Sequence, residues 1–106
     1  MDNFKAVYII LAALERAMDC PAFDIREVGP EALGVTGERW ARYLEMMLDV
    51  SYIKGVSIRR DILGQTIVEA KDARITLKGL EYLQENTLMR KIYNAAKGVK
   101  EITPGF

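Results

Sequence analysis

The chain contains no histidine and a single cysteine. Without histidine, Ser-His and Cys-His nucleophile pairs and every histidine-containing zinc site are excluded, which leaves only carboxylate, lysine or tyrosine chemistry. With Cys20 alone, neither an intrachain disulfide nor a CxxC pair can form, and the reducing interior of a cell is the natural compartment. Net charge is missing as well, because fifteen Lys and Arg balance fifteen Asp and Glu. No overall positive field draws the chain to nucleic acid, so any such binding must rest on a local patch. The apolar run from Ala6 to Leu14 lacks a basic flank and a small-residue cleavage site, and Glu15 and Arg16 follow it directly. It reads as neither a signal peptide nor a membrane span.

What is present fits one globular domain: 106 residues, half of them hydrophobic, with no repeat or long linker. The domain is expected over residues 1–100, with a poorly ordered tail at 101–106 that contains Pro104 and Gly105. A first helix begins at Asp2 or Asn3, carries Phe4, Leu11, Leu14 and Met18 on one face, and ends at Cys20-Pro21. Its other side holds Ile9, Ile10, Ala13 and Ala17, so the helix needs cover on both sides, from another helix of the chain or from a dimer partner. Phe23-Asp24-Ile25 reads as a short extended segment, and Pro30 to Leu33 as a short second helix stopped by Gly34.

Thr36 caps a third helix over about Gly37 to Val50, with Trp40, Tyr43 or Leu44, Met47 and Leu48 as its buried stripe. Alternation then replaces the helical period. Val56 to Ile62 and Thr66 to Ala70 form a hairpin with its tip near Asp61 to Gln65, on whose edge Phe23 to Ile25 is expected to pair. Ile75 is a buried strand end, and Thr76 caps a fourth helix that packs through Leu77, Leu80, Tyr82 and Leu83. Gly79 inside this helix implies close approach of another backbone or a bulky side chain. A fifth helix starts at Asn86-Thr87, with Leu88, Ile92, Ala95 or Ala96 and Val99 as its apolar stripe.

Helix, extended piece, short helix, longer helix, hairpin, helix is the element order of a winged helix-turn-helix. The fold class is therefore mainly α within α+β, with a two- to three-stranded antiparallel sheet and an extra C-terminal helix. A helical bundle with an appended hairpin is the rival, disfavoured because the short second helix would be a poor bundle member.

Ile75-Thr76-x-x-Gly79-x-x-Tyr82-Leu83-x-x-Asn86 resembles the strand-to-helix junction of many winged-helix proteins. Pro30-Glu31-Ala32-Leu33-Gly34 followed by Arg39-Trp40 resembles the YjcQ-like family, over nearly the whole chain. The resemblance implies a winged-helix fold in the cytoplasm of a bacterium or phage-infected cell, often from a prophage, with presumed DNA binding. It brings no catalytic or ligand residues.

For a DNA-binding regulator, the residues off the buried stripe of the third helix would meet base edges. Arg39 and Arg42 are the candidates for guanine, Thr36 for a phosphate or base, and Gly37 for close backbone approach. Arg59, Arg60 and Gln65 would position the wing on the phosphate backbone. The plainer reading makes the helix arginines a solvated face with local ion pairs to Glu38, Glu45 and Asp49. Ile62 and Leu63 at the tip are apolar for a surface meant for phosphates and suit a protein partner, the alternative function. Charge along the chain leans acidic over residues 1–35 and basic only toward the end, where Arg90, Lys91, Lys97 and Lys100 stand.

No enzyme and no cofactor is expected. Asp24 with Glu27, or Glu81 with Glu85, shows no cleft to shift its pKa. Met18, Met46, Met47 and Met89 read as core filler, Trp40 as a core anchor and Cys20 as a small buried hydrophobe. A lone domain with few phosphate-facing cations binds DNA weakly, so a homodimer through the first and last helices is the expected route to affinity.

Overall fold

A computed structural model describes residues 2–96. Five helices and four short strands follow in the order α1 (Asn3–Arg16), 3-10 turns at Ala17–Asp19 and Ile25–Val28, α2 (Pro30–Leu33), α3 (Gly37–Asp49), β1 (Ile53–Lys54), β2 (Ser57–Arg60), β3 (Thr66–Glu69), β4 (Arg74–Ile75), α4 (Leu77–Glu85) and α5 (Thr87–Ala96). This is a winged-helix-like α+β fold. The expected domain end at residue 100, the tail at 101–106, and Lys97, Val99 and Lys100 of the last helix lie outside the described residues.

Caps set the helix starts. Asp2, Thr36 and Thr76 each accept a hydrogen bond from a backbone amide of the first turn, at 3.2, 3.1 and 3.1 Å. α1 lies at the centre and touches α3, α4, α5, β4 and the Ile25–Val28 turn. Ala6, Tyr8, Ile10, Leu11, Ala12, Ala13 and Leu14 are all buried, so the two-sided apolar surface of this helix is covered within the chain. Trp40 anchors α3, and its indole Nε1 donates to the Val28 carbonyl at 2.9 Å.

The hairpin is longer at its root than its alternation indicates. Two antiparallel ladders succeed one another, Ile53 opposite Ile75 and Lys54 opposite Arg74 at the root, then Ser57 to Arg60 opposite Glu69 to Thr66 toward the tip. Gly55 sits at the break with φ +80, and a Cβ there would fall 1.8 Å from the Asp72 carbonyl oxygen, so only glycine fits this turn. Gly79 meets the sequence expectation, because its Cβ would come within 2.5 Å of the Tyr52 carbonyl oxygen and 2.6 Å of Ile75 Cγ1. Thr76 completes this junction, its amide donating to Tyr52 O at 3.0 Å and its hydroxyl to the Ser51 carbonyl.

Several expectations need correction. Phe23 to Ile25 does not join the sheet: the Asp24 carboxylate accepts from the Arg26 amide at 3.0 Å, and that local bond curls Ile25–Val28 into a 3-10 turn that buries Ile25 and Val28. The sheets are therefore two-stranded. Met18 and Met46 are 60% and 51% exposed rather than core filler, and Cys20 is exposed. Phe4, Leu77 and Leu88, placed on packing stripes by period alone, are also exposed; each stands in the first turn of its helix on a side that the rest of the chain leaves uncovered.

Candidate functional site

α3 and its cap present Thr36, Gly37, Glu38, Arg39, Arg42 and Glu45 to solvent, the surface expected from the buried stripe, together with Met46. The structure divides this surface in two. Arg39 leans toward the start of α1, where its Nη1 donates to Asn3 Oδ1 at 2.9 Å, and the Tyr43 hydroxyl donates to the same oxygen at 2.6 Å. Arg42 instead faces the hairpin, where it lines a cavity of about 100 Å³ with Glu38, Ile58, Arg60 and Thr66. The Thr36 hydroxyl accepts the cap hydrogen bond from the Arg39 amide, and Gly37 has open space where a side chain would stand.

Glu38 joins helix to wing. One carboxylate oxygen accepts from the Thr66 hydroxyl at 2.6 Å, and the other lies 3.5 Å from Arg60 Nη2. The Thr66 hydrogen bond, opposed by desolvation and helped by Arg60 and the charge of Arg42, holds this carboxyl below the usual glutamate range. Arg60 also donates to the Gly64 carbonyl at 3.0 Å, and Arg59 pairs with Glu69 at 3.0 Å. Each wing arginine thus faces an acid. Exposed pairs of this kind contribute little to stability, but each acid lowers the net positive charge that the wing could offer a phosphate.

The tip itself is firmly built. The Asp61 carboxylate accepts from the amides of Leu63 and Gln65, both at 2.9 Å, and the Asp61 amide donates to the Gln65 carbonyl at 2.9 Å. With the Arg60 bond to Gly64, these contacts hold Ile62 at 102% and Leu63 at 79% exposure. Gln65 belongs to this turn through its backbone.

Beside the hairpin, a groove of about 1030 Å³ runs between the 22–26 segment, the starts of α2 and α3, and β3. Phe23, Ile25, Pro30, Trp40, Val68 and Ala70 form its apolar lining. Sequence reasoning missed this groove because it assigned Phe23 to Ile25 to the very strand position that is open. The sequence offers Glu38 as an ion-pair partner for the arginines of its own helix but not as the partner of Thr66, since a bond to a threonine 28 residues away leaves no local signal. The tip had a visible signal in Asp61, whose spacing to Gly64 suits a side-chain-closed turn.

Among the described residues, no group of three or more Cys, Asp or Glu is arranged to hold a metal ion, and no helix is long and apolar enough to cross a membrane. No curated protein and no solved structure gives a significant match. Residues 8–102, most of the chain, match the YjcQ protein family, and the chain belongs to that family.

Proposed function

We propose that this protein is a non-enzymatic protein-interaction module, working in the cytoplasm of a bacterium or a phage-infected cell, with the wing tip as its contact surface. The observation that carries this reading is the pair Ile62 and Leu63, held out in solvent by a turn that Asp61 and Arg60 brace from behind. A flexible tip would lose entropy on docking, whereas a braced one presents its apolar side chains already ordered. The neutral overall charge and the acid opposite each wing arginine argue in the same direction.

A second reading, a DNA-binding transcriptional regulator, has the winged-helix-like element order and the exposed Arg42 and Gly37 in its favour. One paired experiment separates the two. Wild type and Ile62→Asp/Leu63→Asp are immobilised and each exposed to lysate of bacteria that also express the matching untagged chain, and anisotropy of mixed genomic fragments is titrated at low and moderate salt. The proposal expects a protein identified by mass spectrometry to be retained by wild type and lost by the variant, with flat anisotropy. An identical retained set, or salt-sensitive DNA binding abolished by Arg39→Ala/Arg42→Ala, refutes it.

A further inference from the structure

We infer that the partner of the wing tip is a second copy of this chain, whose groove between the 22–26 segment and β3 receives Ile62 and Leu63. The inference rests on the reading of the tip as a protein contact. Each chain carries both halves of the contact, a braced apolar tip in solvent and a groove of about 1030 Å³ beside a sheet edge, mostly apolar in surface and bordered by Asp24, Glu38, Glu69 and Lys71. Among the described residues no strand pairs with that edge of β3. The tip does not fill its own groove, since the hairpin that carries it also forms the groove wall and Ile62 is wholly exposed.

The reach is suitable for reciprocal exchange. From Leu63 to the lining residues Val68 and Ala70 the hairpin spans about 20 Å at the usual rise per strand residue, so two hairpins side by side in opposite directions bring each tip level with the other's groove. A twofold arrangement closes at two copies and leaves neither tip nor groove open for further growth. The contact also borders Gly37 and Glu38, so the dimer covers the start of α3 and competes with any ligand of that helix end.

Sedimentation equilibrium from micromolar to about millimolar protein tests this. Wild type is expected to pass from monomer to dimer, with an accompanying change in emission from Trp40, the sole tryptophan, which lies in the groove. Ile62→Asp/Leu63→Asp removes only solvent-exposed side chains, so it keeps the fold and is expected to weaken association roughly a hundredfold or more. In a Cys20→Ser background, a Leu63→Cys chain and an Ala70→Cys chain are expected to form a disulfide-linked heterodimer on mixing. A wild-type chain that stays monomeric overturns the inference, even where the lysate experiment shows the tip binding a different protein. A dimer insensitive to the tip substitutions also overturns it and points to the α1 and α5 surfaces, and growth beyond two copies contradicts reciprocal exchange.

Discussion

Replacing Gly79 with alanine sets two effects of opposite sign against each other. Alanine inside a helix is favoured over glycine by about 1 kcal/mol, so propensity alone predicts a more stable protein. The structure predicts the reverse, because the new Cβ would stand 2.5 Å from Tyr52 O and 2.6 Å from Ile75 Cγ1. Tyr52 has no room to yield: its carbonyl accepts from the Thr76 amide at 3.0 Å, and its amide donates to Met47 O at 2.8 Å. Overpacking of this kind costs about 1–3 kcal/mol, and disturbing the Tyr52–Thr76 bond adds about 1 kcal/mol. After the helix gain is subtracted, a net loss of about 1–3 kcal/mol remains. For a domain of this size that lowers Tm by roughly 4–20 °C. Urea unfolding followed by circular dichroism, with the slope m compared to wild type, measures it. Gly37→Ala is the control, since nothing stands within 4 Å of its Cβ position and it is expected to gain about 0.5 kcal/mol. Gly79→Ala as stable as wild type would mean that the Tyr52 carbonyl and Ile75 do not restrict this position.

Ser51 holds φ 64 where α3 ends, with its amide donating to Leu48 O and the Tyr52 amide to Met47 O, the two bonds of a Schellman motif. Relief of left-handed strain outweighs glycine's extra unfolded-state freedom, so Ser51→Gly should raise stability by about 0.5–1 kcal/mol in the same urea assay. Glu38, with its folded pKa depressed, favours folding above the pKa it has in the unfolded chain and loses that contribution as pH falls through its lower folded value. The stability difference between wild type and Glu38→Gln should therefore shrink on acidification below the ordinary glutamate range; a difference independent of pH would remove the Thr66 and Arg60 bonds as its cause. Asp61→Ala strips acceptors from the Leu63 and Gln65 amides, so faster hydrogen exchange at both, and weaker self-association with Ile62 and Leu63 still in place, are expected.

The legible parts of this fold were those written in neighbouring residues. Asp2, Thr36 and Thr76 announce helix starts because capping acts over three residues. Gly79 announced a close approach because its helix penalty needs a compensating contact. Phe23 to Ile25 misled because three residues hold too little alternation to outweigh the turn that Asp24 forms with Arg26. The Ile53 to Ile75 rung is invisible locally, since each strand has two residues and the partners lie far apart in the chain. The candidate site was harder still. Arg39 and Arg42 look equivalent in sequence, yet Asn3 draws one away and the hairpin takes the other. Exposed Met18, Met46 and Cys20 show that residue type alone does not fix burial where a helix ends or turns outward.

The most direct test of self-association through the tip is an amide-shift map from 15N NMR, recorded once as a concentration series and once against mixed DNA fragments. Concentration is expected to move the amides of residues 61–65 and 22–26 together, while DNA leaves Gly37, Arg39 and Arg42 in place. Unmoved tip amides at every concentration, with DNA shifting the start of α3, would contradict it.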